Sequence, residues 1–397
     1  MRRLPIVILL LAPGSLARLE AQPVQRRDSA GAAVVTSAAA VRPSDPRYQL
    51  RAAPELELGS DIELSSIRAA FRLGGGRFVV AERSTSQLHL FDPAGKRLAT
   101  VGRKGAGPGE YQRIDAAFPG PGDSIFVFDG SSRRLTVLDG SGTYGRSGLI
   151  ELPGNRQASA IFGVFPNGAM LVSAGIAGGD LSSGIRRDPV ELFAVGPDGV
   201  STVGRFSTTE RMVRISTDPN DRSKVTGVNI TAVPLGHATA MLTADTLVLV
   251  ATGDRFDVEL YSRAGRLIRR MVAAIRPGPV TDEDRRQYLN VAAAGVPSGA
   301  DQVRVRAALA EVPSPPLKPA YDVVLAAGQE VWAREYLGPW AREREGRWVV
   351  FDRTGAWAAS ATTPAGFTPT WIGGGLMVGT WLDADDLPHV RVYRLGR

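Results

Sequence analysis

The chain has 397 residues, of which 45 are glycine, 27 are proline and none is cysteine. The absence of cysteine excludes disulfide bonds, thiolate metal sites and cysteine nucleophiles. The formal net charge is +7, but no basic run and no aromatic residues interleaved with basic clusters accompany it, which argues against a nucleic-acid partner.

The first 21 residues have the parts of a secretory signal peptide. Arg2 and Arg3 are followed by a short apolar segment at 4–12 and by small residues at 17–21. The apolar segment is far too short to span a bilayer, and no other apolar run approaches twenty residues. We therefore expect cleavage near Ala21 and an exported protein, periplasmic or extracellular, without a membrane span.

Residues 22–53 differ from the rest of the chain in composition and in hydrophobic pattern. They are rich in Ala, Arg, Ser and Pro and have no sustained apolar period. This composition predicts a flexible tether in front of a folded domain at residues 54–397.

Past residue 54, short apolar strands and polar turns repeat. A strand that ends in a polar turn with glycine recurs six times: LHLFDPAG (88–95), LTVLDGSG (135–142), LFAVGPDG (192–199), VELYSRAG (258–265), WVVFDRTG (348–355) and VRVYRLG (390–396). Another apolar strand precedes each, and a further apolar segment lies ahead of both: IRAAF, IDAAF, AIFGVF, ATAML, YDVVL and PTWIG. Every turn except the last is followed by a fourth strand. Four antiparallel strands in six units predict an all-β fold, the six-bladed β-propeller, with the first strand of each unit innermost.

The sixth unit lacks its fourth strand because the chain stops at Arg397. One strand, ELELG at about 55–59, stands alone ahead of the first unit. We expect it to complete the last blade and close the ring, so that no sheet edge is left open there.

Residues 101–140, VGRKGAGPGEYQRIDAAFPGPGDSIFVFDGSSRRLTVLDG, resemble an NHL-type propeller repeat. The segment has a Gly-rich entry, an apolar strand, a D-x-x-x-x-R loop and a final strand that ends in Asp. The preceding unit has Glu82 in place of the Asp and Gln87 in place of the Arg. Over residues 54–397 the chain is similar to secreted bacterial six-bladed β-propeller proteins. This resemblance implies the fold but no activity, because propellers host lyases, lactonases, hydrolases and binding modules.

One insertion is helical. Thr281 and Asp284 form an N-cap signature, and the segments 282–293 and 301–312 each have the pattern of a helix, which predicts a small helical insertion near 281–312. A helical hairpin of this kind is either a lid over a ligand pocket or a rigid cap on an apolar edge.

The long segments at 175–189, 207–236, 275–319 and 335–347 are all loops between second and third strands or connections between blades. Such loops emerge on one face of a propeller, the top face, so we expect a walled pocket there. The basic and aromatic side chains of this face are the candidate ligand-binding residues: Arg103, Lys104, Arg133, Arg211, Arg214, His237, Arg285, Tyr288, Arg334, Glu335, Tyr336 and Trp340. They would suit an anionic or carbohydrate-like ligand. Alternatively, the arginines face water and the aromatic rings pack the helical insertion onto the propeller.

Catalytic patterns are scarce. The three histidines, His89, His237 and His389, lie in different blades, and there is no G-x-S-x-G elbow. The aspartates at 383, 385 and 386 would suit calcium, but they do not match an EF-hand and read as a solvated acidic loop. The inner strands offer only Asp115 and Asp322, which argues against a metal on the propeller axis. No catalytic residue and no cofactor is predicted.

The sequence thus favours a monomeric, exported, non-catalytic propeller that binds a small ligand or a protein partner on its top face. Two alternatives stay open at this stage. One is a propeller-type lyase or lactonase-like hydrolase with an axial metal, and the other is a protein-interaction scaffold at the cell envelope.

Overall fold

The computed structural model describes residues 24–40, 44–175, 182–221, 224–296, 299–383 and 385–396. The predicted signal peptide, residues 1–21, lies outside the described residues. Three strands come ahead of the first blade: β1 (Val24–Ser29), β2 (Ala32–Ser37) and β3 (Leu56–Leu58).

The first two blades are regular four-stranded antiparallel sheets. Blade 1 consists of β4 (Ile67–Arg72), β5 (Phe78–Glu82), β6 (Gln87–Phe91) and β7 (Arg97–Val101). Blade 2 consists of β8 (Ile114–Pro119), β9 (Ile125–Asp129), β10 (Arg134–Leu138) and β11 (Tyr144–Leu149). A short hairpin follows, formed by β12 (Glu151–Leu152) and β13 (Arg156–Gln157).

Blades 3 and 4 are separated by an extra sheet. Blade 3 consists of β14 (Ala160–Val164), β15 (Met170–Gly175), β17 (Pro189–Gly196) and β18 (Gly199–Ser207). The extra three-stranded sheet is made of β16 (Gly184–Arg186), β19 (Arg211–Thr217) and β20 (Val225–Ala232). Blade 4 begins with β21 (Ala240–Ala244), β22 (Leu247–Ala251), β23 (Asp257–Tyr261) and β24 (Leu267–Ala273).

Two helices separate blade 4 from blade 5: α1 (Asp282–Ala294) and α2 (Gly299–Ala310). Blade 5 consists of β25 (Tyr321–Ala327), β26 (Glu330–Glu335), β27 (Gly346–Phe351) and β28 (Trp357–Thr363). Blade 6 consists of β29 (Phe367–Gly373), β30 (Leu376–Leu382) and β31 (Pro388–Arg394), together with β3.

The ring is joined at blade 6 by residues from both ends of the chain. Leu56, Glu57 and Leu58 pair antiparallel with β31, which is the position expected for the isolated strand ELELG. The inner strand of each blade contacts the inner strands of its two neighbours, including β29 with β4. The predicted inner segments are therefore the inner strands of the observed blades.

The turns between third and fourth strands show why the repeat was visible in the sequence. Gly95 and Gly355 both have φ 86°, a left-handed conformation that glycine adopts without a steric penalty. An aspartate at the start of the same turns accepts backbone N–H bonds: Asp92 Oδ1 from Ala94 and Lys96, and Asp352 Oδ1 from Thr354. A strand, an aspartate and a glycine at fixed spacing are thus the chemical requirements of the turn.

The hydrophobic core is divided among the gaps between blades. Six buried clusters are found in the described part of the chain, and each one joins two adjacent sheets. Between blades 5 and 6, Trp332 and Trp348 are each 1% exposed and meet edge to face at 6.3 Å between ring centroids. Between blades 6 and 1, Val378 and Val390 pack with Val80, so burial of apolar surface joins the first blade to the last.

The N-terminal segment differs from the prediction. Residues 24–37, which composition placed in a flexible tether, form the hairpin β1–β2, and β2 pairs in parallel with β24 to extend blade 4 to six strands. Val35 is 1% exposed and Ser37 is fully buried, with the Ser37 hydroxyl accepting the Trp357 N–H of blade 5 at 3.0 Å. The flexible-tether prediction is therefore wrong for this stretch, because the apolar face of β2 has a sheet edge to cover.

Candidate functional site

A large cavity lies on the top face, between blades 5, 6 and 1. Its volume is about 1060 Å³. The ends of inner strands and top-face loops form its floor and walls, and helix α1 contributes Asn290, Val291 and Ala294. The walls combine apolar surface, such as Phe367 and Leu337, with three arginines and two aspartates: Arg334, Arg342, Arg344, Asp322 and Asp386.

Arg334 is the buried cation of this cavity. It lies near the end of β26 and is 7% exposed. Its Nε donates to Asp322 Oδ1 at 2.7 Å, and its Nη1 donates to Phe367 O at 3.3 Å and to Thr368 Oγ1 at 3.4 Å. Its Nη2 makes no hydrogen bond within the described residues. This nitrogen is not a buried atom, so one edge of the guanidinium is open to the cavity and can donate to water or to a ligand there.

Two further arginines sit on the loop that follows β26. Arg342 pairs with Asp386 of blade 6. Arg344 is exposed and forms no ion pair with any residue that the structure describes. The mouth of the cavity thus carries one neutralised and one uncompensated guanidinium.

Tyrosine hydroxyls near the cavity stay protonated at neutral pH. Burial, reinforced by the charge of Asp322, raises the pKa of Tyr336 above its ordinary value, and burial raises the pKa of Tyr288. A protonated phenol can donate a hydrogen bond to an anionic group. Tyr336 lines the cavity, so such a donor is available there.

Of the twelve candidate ligand residues, Arg334 and Tyr336 line this cavity. Arg285 instead ties the helical insertion together, donating to Ala310 O at 2.6 Å, to Val312 O at 2.8 Å and to Ser314 Oγ at 2.7 Å. Three others lie outside the cavity lining: Tyr288, Glu335 and Trp340.

The remaining candidates are spread over the rest of the top face. Arg103 is paired with Glu110 of its own loop at 2.6 Å, while Lys104 and Arg133 are exposed on the rim of blades 1 and 2. Arg211 pairs with Asp188, and Arg214 pairs with Glu311 of the helical insertion. These residues lie outside the lining of the cavity.

Several lining residues were absent from the candidate set. Asp322 had been noted only as an inner-strand acid, and Arg342 and Arg344 lie in the segment 335–347 that was expected to wall the pocket. The loop was a usable signal for these two arginines. Ser65 and Ser66, just ahead of β4, could not be chosen from the sequence. They line the cavity because the fold brings the start of blade 1 close to the loops of blades 5 and 6.

A recurring irregularity of the inner strands aims side chains toward the axis. In blades 1, 2, 3, 5 and 6 the pairing of inner and second strand skips one residue, whereas the register of β21 with β22 is uninterrupted. The skipped residues are Arg68, Asp115, Phe162, Asp322 and Thr370. A bulge leaves the extra residue outside the ladder and re-aims its side chain. Three of these residues line a second cavity of about 270 Å³: Arg68, Asp115 and Thr370.

His237 belongs to a separate polar cluster on blades 3 and 4. It is 7% exposed, and its Nδ1 lies 3.1 Å from Glu210 Oε2 and 3.7 Å from Asp254 Oδ1. The three side chains could supply one metal ligand each. However, the Arg187 guanidinium donates twice to Asp254, at 2.8 and 3.0 Å, and lies 3.4 Å from Glu210. The two carboxylates are thus already neutralised in part by a side chain.

The acidic loop considered for calcium is largely engaged by the protein. Asp383 Oδ1 accepts the N–H groups of Asp385 and Leu387, both at 2.9 Å, and its Oδ2 lies 3.0 Å from His389 Nε2. The bond from His389, with the backbone donors, holds the pKa of Asp383 below its ordinary value. Asp386 pairs with Arg342.

The blades, four-stranded except for blade 4, and the contacts between neighbouring inner strands define the fold class of this protein, a β-propeller. Residues 55–144 match a family described as 6-bladed beta-propeller, DUF5128. No match is found among curated proteins. Within the part of the chain that the structure describes, no helix has both the length and the apolar character needed to cross a membrane.

Solved structures with the same fold are distant in sequence. A Bacteroides fragilis protein described as exported is 10% identical, with a TM-score of 0.50, over 92% of this chain and all of that one. A member of the DUF4221 family from Bacteroides vulgatus is 10% identical, with a TM-score of 0.46, over 88% of this chain and 99% of that one. Virginiamycin B lyase from Staphylococcus aureus is 8% identical, with a TM-score of 0.42 and the same coverage. Likeness at this level of identity concerns the fold alone.

Proposed function

We propose that this propeller is a binding protein that holds a small anionic organic ligand in the cavity between blades 5, 6 and 1, without catalysing a reaction on it. The observation that carries the proposal is Arg334, a buried guanidinium on the cavity wall with one nitrogen that makes no hydrogen bond in the described structure. Water can satisfy this accessible nitrogen, but an anionic group is the stronger acceptor, because hydrogen bonds between charged partners are stronger than neutral ones.

The other walls indicate what kind of anion fits. Arg344 adds a second cation near the mouth, and Tyr336 adds a neutral hydroxyl donor. Phe367, Leu337 and Val291 present apolar surface to the same space. A cavity of this size accommodates a molecule of drug-like dimensions. An organic acid with an apolar body, or an acidic sugar, matches this combination of walls better than a bare inorganic ion does.

The proposal is tested by calorimetry and thermal shift on the mature chain with a panel of carboxylated aromatic acids, sugar acids, neutral sugars and short peptides. We expect saturable binding of an acidic compound, with Arg344→Gln weakening it about tenfold or more, the usual value of a charge-assisted hydrogen bond. Arg344 is exposed, so this variant should fold normally.

The matched control is Arg103→Gln, which removes an equal charge from an exposed arginine that pairs within its own loop. Its affinity should equal that of the unmodified chain. Equal affinities for all three proteins would contradict the proposed site, and preferential binding of neutral sugars or of peptides would replace the anionic ligand with a carbohydrate or a protein partner.

A metal-dependent lyase or hydrolase is a second candidate, and one observation favours it: Glu210, His237 and Asp254 bring three metal-ligand atoms together. Arg187 counts against it, because a cation bound there would have to displace the guanidinium from both carboxylates. Stoichiometric metal in protein purified without chelators, lost in His237→Gln, would favour this function over simple binding.

We also propose that the protein is exported and acts as a monomer. The signal-peptide pattern of residues 1–21 supports export, and the monomeric state is proposed from the sequence alone. N-terminal sequencing of protein recovered from exported fractions should give a start near residue 22, and light scattering should give the mass of a single chain.

A further inference from the structure

The axial cavity between the inner strands of blades 1, 2 and 6 is distinct from the top-face cavity of the proposed function. It measures about 270 Å³, and alanine and aromatic side chains form much of its wall: Ala69, Ala116, Phe118 and Trp371. The bulge residues Arg68 and Asp115 supply its charges. The two cavities are lined by consecutive residues of β4: Ile67 lines the top-face cavity and Arg68 lines the axial cavity.

Two arginines pair with the Asp115 carboxylate at this place, and a third, Arg68, lies beside it. Arg83 Nη2 lies 2.5 Å from Asp115 Oδ1, and Arg113 Nε lies 2.9 Å from Asp115 Oδ2. Arg68 reaches only the backbone of the same residue, with Nη2 at 3.4 Å from Asp115 O. Asp115 is thus saturated by two guanidinium groups, and Arg68 has no ion-pair partner among the described residues.

The surplus positive charge affects Arg68 itself. Arg68 is solvent-exposed, and partial desolvation together with the like charges of Arg83 and Arg113 lowers the pKa of Arg68 below its ordinary value, although Asp115 acts in the opposite direction. Bringing like charges together costs free energy, and an anion between them would recover it.

We propose that the axial cavity binds a small oxyanion, a phosphate or a short carboxylate, with Arg68 as its direct ligand and Arg83 and Arg113 supplying the surrounding charge. The volume of about 270 Å³ is sufficient for an ion of this size. The bulge in β4 is what makes the site, because it places an arginine at an inner-strand position that would otherwise continue the ladder.

The test is isothermal titration calorimetry with inorganic phosphate, sulfate and acetate at fixed ionic strength, in a buffer free of other oxyanions and with chloride as the balancing salt. We expect saturable binding of one anion per chain. Arg68→Gln should weaken it about tenfold or more. Asp115→Asn keeps the shape of the side chain but removes the competing charge, so it should tighten binding.

Arg146→Gln is the matched control, since Arg146 is exposed on the outer strand of blade 2 and forms no ion pair with any described residue. It should bind like the unmodified chain. Stronger binding of phosphate and sulfate than of acetate identifies a tetrahedral anion as the ligand, and the reverse order identifies a carboxylate. Absence of saturable binding for all three anions, or equal affinity in Arg68→Gln and the unmodified chain, would overturn the site, and neither result bears on the top-face cavity.

Discussion

Arg334 and Arg342 line one cavity and each pairs with an aspartate, yet their environments differ. The side chain of Arg334 is 9% exposed and that of Asp322 is 22% exposed, whereas Arg342 and Asp386 are 43% and 64% exposed. Removing one member of a buried pair leaves an uncompensated charge away from water, but solvent screens an exposed pair.

We therefore predict that Arg334→Gln lowers the free energy of unfolding by about 3 kcal/mol. Arg342→Gln should lower it by less than about 1 kcal/mol. Urea denaturation of both variants at neutral pH measures the difference. Similar losses for the two variants would mean that water reaches Arg334 far more easily than its burial indicates.

Protonation of Glu82, at the end of β5, should destabilise the fold at low pH. Glu82 is 1% exposed, and its carboxylate accepts bonds from Ser66 N at 2.9 Å, from Thr85 N at 3.1 Å and from the hydroxyls of Ser65, Ser84 and Thr85. Burial alone would raise the pKa of Glu82, but these bonds outweigh it and hold the pKa at about 2. A carboxyl with a lowered pKa stabilises the fold above its unfolded pKa, near 4.5, and loses that contribution as pH falls toward 2.

Glu82→Gln should accordingly destabilise the protein at pH 7 and reduce the fall in stability between pH 4.5 and 2. Thermal unfolding measured across this range tests both parts. Glu63→Gln is the control, since Glu63 is an exposed carboxylate in the neighbouring connection. An unchanged pH profile in Glu82→Gln would show that other carboxylates dominate acid unfolding.

At the scale of elements, the helical insertion has the contacts of a rigid cap more than those of a lid. Its two stems are joined by Val280 N to Pro316 O at 3.0 Å and by Lys318 N to Gly278 O at 2.9 Å. The Asp284 carboxylate completes the capping box with Thr281 and also binds Lys318 Nζ at 2.7 Å. These bonds close the base of the hairpin, where a hinge would have to open.

Arg285 donates hydrogen bonds to the C-terminal end of α2 and to the residues that follow it. Arg285→Gln should therefore loosen the insertion while the blades stay intact. We expect faster amide hydrogen exchange in α1 and α2 and unchanged exchange in the inner strands. Arg286→Gln, one residue away, removes only an exposed pair with Glu283 and should leave exchange unchanged. Equal exchange in both variants would assign the rigidity to the stems alone.

At the scale of the whole molecule, the chain carries two separate N-terminal contributions to the ring. The hairpin β1–β2 covers the outer edge of blade 4, and β3 supplies the fourth strand of blade 6. A chain that starts at residue 44 should still unfold cooperatively, at a lower Tm, because only an outer edge is uncovered. A chain that starts at residue 60 should lose far more stability, since Val390 and Val392 lose the strand that covers them. Differential scanning calorimetry compares the two truncations, and equal Tm values would contradict a role for β3 in holding the ring.

The repeat made the architecture predictable, because each blade needs the same turn chemistry and the same alternation of apolar residues. The hairpin at residues 24–37 was not predictable in this way. Val35 is buried where it pairs with Met271 of β24 and lies against Gly355 of blade 5, and no local sequence pattern indicates partners so distant along the chain. The flexible-tether prediction was based on the composition of residues 22–53 alone, and that composition holds no information about pairing with β24.

The residues of the candidate site also fall into those that were predictable from local sequence and those that were not. Arg334 and Tyr336 could be chosen from the sequence because they lie at the end of a predicted strand and in the loop that follows it on the top face. Arg68 could not, because IRAAF reads as continuous alternation and the bulge that turns Arg68 toward the axis is a feature of strand register. The sequence shows which side chains could bind a ligand, but it does not show which distant loops come together, because that depends on how the blades close into a ring.

The pairing of the N-terminal strands also sets the order in which the protein can be completed. Ser37 pairs with Ala273, and Leu56 pairs with Val392, so the segments made first by the ribosome wait longest for their partners. Closing such long loops is entropically costly and slow, which keeps the chain unfinished until its last strand has been synthesised. The last blade can therefore reach its four-stranded form only after β31 has been made.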